Sequence, residues 1–332
     1  MTTPVPIANV AHFIWLGAQL PPIAWLAVRA ARDRGGFERM VLHTQSAALA
    51  DDSLIVDLIE RVGLQLKMLE STSQSAPDAN AQIALDALDL QLQSPAARAD
   101  LWRLRVLWQH GGVYLDADAI CLQSFRDLLH LGGFAGLEPV ALPNHVVHGR
   151  HPGRWLRAGL ALATRDVASR MANPIKAFAA VAPLHWLACN NAILGACATH
   201  PLIGQLLHDA LALPCEQALK LYELGPRLLE RATDNRSTAD FKLLPPELLF
   251  PLGPEICVAY VQPDPLGRLG KTPHPAAVCA HLYDSVLSRR VGPLDTPWLT
   301  GPGRQTLLGQ MVQPWLDELE QLAKNTKDRL KP

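Results

Sequence analysis

The side chains best placed to do chemistry together sit between Ala99 and Asp118. Asp100 and Arg103 are three apart on a stretch that reads as a helix, so they share one face. Gly111-Gly112 stops that helix, Val113-Tyr114-Leu115 is a short apolar strand, and Asp116 and Asp118 follow at its end. Two carboxylates at i and i+2 point the same way on a continued strand, and a turn there converges them as well. Such a pair offers hard oxygen ligands to Mg²⁺ or Mn²⁺, which in turn bridges phosphate oxygens. A bare Asp-x-Asp is also what a polar loop after a buried strand looks like. The helix, the Asp/Arg pair and the Gly-Gly stop attached to it favour a site.

Several elements must position these residues. Val10–Leu16 reads as a buried strand, Trp25–Arg34 as a helix closed by Gly35-Gly36, and Met40–His43 as a second strand. Ser53–Val62 is helical and Leu64–Leu69 a third strand. Strand–helix–strand–helix–strand over seventy residues is the pattern of a βαβ nucleotide-binding half. Two helices follow, Asp78–Leu92 and Ala96–His110, the second with Pro95 in its first turn and Ser94 as cap. Residues 155–233 read as mostly helical, with Asn190-Asn191 either capping a helix through Ile193 and Leu194 or offering amides to a sugar. Pro245–Pro275 reads as extended loops with short strands, and Arg304–Lys324 as a final amphipathic helix. The expectation is one α/β domain over 1–300 with helical insertions, and a helical C-terminal extension over 301–332 packed on or near it.

With 332 residues, 49% hydrophobic and 18% charged, the chain is globular and long enough for a substantial core. A net charge of −1 gives none of the basic excess of a nucleic-acid protein. Six cysteines without a Cys-x-x-Cys pair suit buried, reduced thiols, the N-terminus lacks a signal-peptide pattern, and the longest apolar run, Ala177–Cys189, is too short and interrupted to cross a bilayer. A cytoplasmic protein with no transmembrane segment and no nucleic-acid partner is the expectation.

Asp100-x-x-Arg103 followed by Gly111-Gly112-x-Tyr114-x-Asp116-x-Asp118 resembles the core of the DXD sugar-binding glycosyltransferases. That family includes fungal outer-chain mannosyltransferases, bacterial capsule-type transferases and the large clostridial glucosylating toxins. Ala11-His12-Phe13-Ile14-Trp15-Leu16-Gly17 is similar to the family's opening strand, and weaker echoes follow at Asn190-Asn191, Leu224-Gly225-Pro226 and Ala280-His281-x-Tyr283. The resemblance implies a GT-A type fold with a Rossmann-like sheet, and a UDP- or GDP-hexose donor used with Mn²⁺ or Mg²⁺. It also implies a retaining transfer to a glycan, glycolipid or protein acceptor. Asp116 and Asp118 would hold the ion, with Asp116 also reaching the ribose. Asp100 would accept from sugar hydroxyls, Arg103 would approach sugar or phosphate, Trp15 would stack on the base, and His281 would complete the metal site.

The blander readings are specific. Asp100/Arg103 alone is a surface ion pair; Trp15, Trp102, Trp108 and Tyr114 are core residues; His281 is structural; His145, His148 and His151 are solvated loop residues. Where the family places a tryptophan after the late histidine, this chain has Leu287-Ser288. Outside the class, a metal-dependent phosphohydrolase also uses Asp-x-Asp but places a hydroxyl residue after it, where Ala119-Ile120 stands here. A silent sugar-binding protein is the other rival.

Overall fold

The computed structural model describes residues 4–70, 72, 74–220, 222–234 and 236–329. It divides into two compact units, one formed by Met1–Gly136 and Cys189–Leu244, the other by Leu137–Ala188 and Pro245–Pro332.

The first unit opens with the anticipated alternation: β1 (Val10–Ile14), α1 (Pro22–Asp33), β2 (Arg39–Thr44), α2 (Ser53–Val62) and β3 (Gln65–Met68). Local chemistry sets these limits. Asp52 accepts from the Leu54 amide at the start of α2, and Gly63 ends it in the left-handed conformation at φ 68°. Then come α3 (Ala79–Gln91) and α4 (Pro95–His110), the latter with Pro95 in its first turn and the Ser94 hydroxyl as cap.

The remaining strands are β4 (Gly112–Leu115), β5 (Ala119–Cys121), β6 (Gly133–Val140), β7 (Trp186–Ala196), β8 (Lys242–Leu244) and β9 (Cys279–His281). Seven of them form a sheet in the order β3-β2-β1-β4-β7-β6-β8. Strands β3, β2, β1 and β4 run parallel, as a Rossmann-like half requires, and β7 returns antiparallel to β4. This is the expected α/β fold with a Rossmann-like sheet. Phe13, Trp25, Leu42, Leu58, Leu101 and Val113 are buried to 2% exposure or less and form the core under the parallel half. That burial, rather than helix or strand propensity, stabilises the layers.

Two expectations need correction. Residues 155–233 are not mostly helical through their middle, because β7 occupies eleven residues there. From Cys189 to Ala196 every residue is buried, so the strand lacks the in–out alternation that distinguishes it from a buried helix in sequence. Asn190 and Asn191 therefore lie on a strand and cap no helix. In Pro245–Pro275 the described residues form a short helix, Pro246–Leu249, and a 3₁₀ turn, Cys257–Tyr260, but no named strand. Prolines there withhold the amide donors a ladder needs.

In the second unit the helices Pro152–Ala168 and Pro174–Val181 are followed by the Pro-rich segment, β9, a helix at Asp284–Val291 and the closing helix Leu307–Arg329. That last helix starts three residues later than its periodicity suggests, because Pro302–Gln305 forms a 3₁₀ turn. Leu287, on the helix Asp284–Val291, is fully buried.

Candidate active site

The site in the first unit is built where α4 turns back into the sheet. Gly111 and Gly112 both have positive φ, 62° and 100°. A Cβ on Gly112 would lie 2.8 Å from the Val10 carbonyl oxygen, so only glycine passes here. The turn delivers β4 beside β1, with Tyr114 opposite His12. Just past β4, the Asp116 amide donates to the Ala192 carbonyl on β7 at 2.8 Å. The Ala119 amide donates to the Asp116 carbonyl at 2.9 Å, closing a turn over Asp116-Ala117-Asp118. This turn brings carboxylate oxygens of Asp116 and Asp118 within 4.8 Å of each other, with both residues half-buried.

Arg103 joins this turn to Asp100. Its Nη2 lies 3.0 Å from Asp100 Oδ1 and 3.3 Å from Asp116 Oδ1, while Nη1 donates to the Asn191 carbonyl at 2.6 Å. The guanidinium also stacks 4.4 Å from the centre of the Tyr114 ring, whose hydroxyl donates to Asp116 Oδ1 at 2.6 Å. Asn191 Nδ2 donates to Asp100 Oδ1 at 2.9 Å. Asp100 and Arg103 are 7% and 5% exposed, so the surface ion pair is excluded.

Burial pushes the Asp100 carboxyl above its ordinary range, the repulsion from Asp116 adds to this, and Arg103 and the Asn191 amide only partly offset it. Arg103 stays firmly protonated: burial opposes its charge, but Tyr114, Asp116, Asp100 and Asp118 outweigh that cost. The backbone at Gly225 closes one side of Asp100. A Cβ there would sit 2.6 Å from Asp100 Oδ2 and 2.7 Å from Asn191 Nδ2. Two weak sequence echoes, Asn191 and Gly225, are thus brought onto Asp100.

The other candidates have these surroundings. Trp15 lies just beyond β1, half-buried rather than in the core, with its indole N–H donating to the Gln19 carbonyl at 2.7 Å. Trp102 and Tyr114 are core residues at 4% and 1% exposure, and Tyr114 also orients Asp116. Trp108 is half-buried. In the second unit His281 ends β9, 8% exposed, its ring 4.2 Å from that of Tyr283 and edge-on to Phe250. Tyr283, with φ 58°, hydrogen-bonds through its hydroxyl to Glu138. His145, His148 and His151 are exposed. Ala119 and Ile120 are fully buried, so no hydroxyl side chain follows Asp118 directly.

Sequence reasoning missed the partners of His12. Its Nε2 is 3.0 Å from the Gly111 carbonyl and its Nδ1 3.0 Å from His43 Nε2. A carbonyl only accepts, so His12 carries its proton on Nε2 and His43 donates to Nδ1. The Gly-Gly turn is therefore held by a pair of neutral imidazoles. Burial lowers His12 well below the ordinary histidine value and takes His43 to about 3, with His110 adding repulsion to each. The opening-strand motif contains His12, but nothing near it in sequence points to His43.

The donor set of Asp116 and Asp118 suits a hard divalent cation. Residues 38–133 match the family described as the glycosyltransferase sugar-binding region containing DXD motif. No curated protein matches the chain. Among solved structures, the chain is similar to the PaToxG glycosyltransferase at 16% identity and a TM-score of 0.46, covering 69% of each chain. It is also similar to the UDP-bound glycosyltransferase domain of the YGT toxin, at 11% identity and a TM-score of 0.40, over 69% of this chain and 77% of that one. The apo structure of the bifunctional WbbM glycosyltransferase matches at 10% identity and a TM-score of 0.44, over 97% of this chain and 53% of its own. These likenesses are distant, so the assignment rests on the matched region and the residues gathered there. Asp100, Arg103, Asp116 and Asp118 all lie inside that region, so residues 38–133 are similar to the DXD-containing sugar-binding region of glycosyltransferases.

Proposed function

We propose that the protein transfers a hexose from a UDP- or GDP-linked donor to an acceptor hydroxyl on a glycan or glycolipid, in a metal-dependent, retaining reaction. One observation carries this reading: a single buried guanidinium ties Asp100 and Asp116 together at 3.0 and 3.3 Å. A carboxylate suited to sugar hydroxyls is thereby fixed relative to one suited to the phosphate end of the donor. Breaking the glycosyl–phosphate bond builds negative charge on the departing diphosphate, and Mn²⁺ or Mg²⁺, which Asp116 and Asp118 would hold, would supply stabilising charge there. His281 is proposed as a further ligand, on the family's use of a late histidine and on the suitability of imidazole for such ions.

The chain's own groups do the rest. Asp100 accepts hydrogen bonds from the hexose; Arg103 and Tyr114 keep Asp116 oriented; Trp15, at the mouth of β1, stacks on the base. The product keeps the α configuration, the acceptor proton passing to the departing phosphate oxygen. Free thiols at all six cysteines agree with a cytoplasmic setting.

The test is a screen of nucleotide sugars for hydrolysis to free sugar without acceptor, with Mn²⁺, Mg²⁺ or a chelator. Turnover should require the ion and vanish in Asp116→Ala and Asp118→Ala, each folded as judged by circular dichroism. His281→Ala should raise the Mn²⁺ concentration needed for half-maximal turnover. Near-native turnover in either aspartate variant sinks the metal-site reading, and an unchanged Mn²⁺ requirement in His281→Ala removes that residue from it.

A further inference from the structure

The helix Pro152–Ala168 turns an apolar line outward. Leu156, Leu160, Ala163 and Val167 recur at three- and four-residue spacing and so share one face. Leu156 is 77%, Leu160 50% and Val167 63% exposed. The packed side of this helix carries Ala158, Ala161 and Ala168, all buried. A helix at a water-facing surface normally shows the reverse arrangement. Trp155 stands beside the line, 45% exposed, its indole N–H donating to the Gly149 carbonyl at 3.0 Å, and Met171 extends it at 56% exposure.

The surrounding charge is one-sided. Residues 142–188 hold Arg150, Arg154, Arg157, Arg165, Arg170 and Lys176 against Asp166, in a chain of net charge −1, and Arg165 is paired to the carboxylates of Asp166 and Glu255, each at 2.7 Å. Arg150 and Arg154 are exposed at the N-terminal end of the helix, Arg170 just past its C-terminal end, and Lys176 on the helix Pro174–Val181. Outward leucines and valine with a half-exposed tryptophan, bracketed by cations, make the pattern of a helix lying in a lipid interface.

We infer that this face of the second unit binds an anionic bilayer surface, with Leu156, Leu160 and Val167 entering the headgroup boundary and the exposed basic residues meeting lipid phosphates. The twelve residues from Leu156 to Val167 span about 16 Å of helix axis, which is ample for a helix lying flat. Among the described residues no helix is long and apolar enough to cross the membrane, so the contact is a surface one. A second copy of the chain fits poorly, because a two-fold contact through this face would set its excess of cations against an identical excess.

Flotation of the full chain with vesicles tests this. One set is phosphatidylcholine alone, and the other contains one third phosphatidylglycerol. The protein should float with the anionic set, be released as NaCl rises, and stay in solution with the neutral set. The double variant Leu156→Glu, Leu160→Glu and the triple variant Arg150→Glu, Arg154→Glu, Arg170→Glu should each bind at least tenfold more weakly. Both should keep the wild-type melting temperature and donor hydrolysis. If a variant melts early, the salt and lipid dependence of the wild-type chain decides. Equal flotation with both vesicle types, or no binding to either, overturns the inference. So does a concentration-dependent dimer that Leu160→Glu dissolves, which makes the face a self-interface.

Discussion

Arg103 is the residue on which the site turns. Its Nη2 and Nη1 contact Asp100, Asp116 and the Asn191 carbonyl, so within this structure it positions carboxylates. Removing it leaves Asp100 buried without its cation, a loss of about 3–5 kcal/mol. Arg103→Ala should therefore shift the urea midpoint strongly and weaken binding of donor and of bare nucleoside diphosphate alike. Stability within 1 kcal/mol of wild type, by the same titration, would contradict this placement. Asp100→Asn is the milder probe, since the shape is kept and only the charge is lost. It should lose turnover of the intact nucleotide sugar by tenfold or more, because a sugar hydroxyl loses a charged acceptor worth about 1.5–3 kcal/mol. Calorimetry with bare nucleoside diphosphate should show near wild-type affinity, and unaltered kinetics would remove Asp100 from the sugar pocket.

At the scale of elements, the ends of β1, β2 and α4 are locked by imidazoles that stay neutral. His12 and His43 are both lowered by burial, His43 to about 3. Below about pH 6.5 the unfolded chain takes up protons that these folded histidines refuse, so stability falls as the pH drops from there. Each of the two contributes up to about 1.4 kcal/mol of loss per pH unit. Urea titrations between pH 7 and 5 should show this slope, and His43→Asn should reduce it by about half. A flat profile would show that the two rings are protonated in the folded state. The strand end also separates two tryptophans. Trp25 in α1 is fully buried, with its N–H on Asp57 at 2.9 Å, so Trp25→Ala should cost about 3–5 kcal/mol. Trp15→Ala should cost clearly less and lower donor affinity, and nucleotide should quench Trp15 fluorescence in the wild type. A melting collapse with unchanged donor affinity would make Trp15 a packing residue.

For the molecule as a whole, the closing helix is integral to the second unit rather than an appendage. Leu307, Leu308, Met311, Val312, Trp315, Leu316 and Leu319 are each exposed by 3% or less. At about 1.5–3 kcal/mol per fully buried large apolar side chain, exposing these seven costs about 10–20 kcal/mol, comparable to the whole 5–15 kcal/mol that holds an ordinary domain together. A chain ending at residue 300 should be insoluble or bind a hydrophobic dye strongly on purification. A soluble, cooperatively melting truncation would make 301–332 a separable extension.

Much of this was written in local sequence. The β1-α1-β2-α2-β3 alternation, the Ser94-Pro95 start of α4 and the Gly111-Gly112 stop follow from spacing, capping and backbone sterics, which act over a few residues. The Asp100-x-x-Arg103 and Asp116-x-Asp118 pairs were equally plain, because helix and turn geometry set each pair within itself. What joins them was not local. Arg103 meets Asp116 only because β4 turns back beside β1. Asn191 and Gly225 reach Asp100 across 91 and 125 residues of chain only because β7 pairs with β4 and Gly225 is brought against the Asp100 carboxylate. Strand β7 itself hid in a fully buried apolar run, where helix and strand patterns coincide. The pairing of His12 with His43 likewise depends on parallel register between β1 and β2. Sequence alone set which groups could do chemistry, since that depends on residue type and near spacing. Tertiary structure decided which carboxylates became buried, paired and held at a fixed distance, since long-range pairing and desolvation exist only once the sheet has closed.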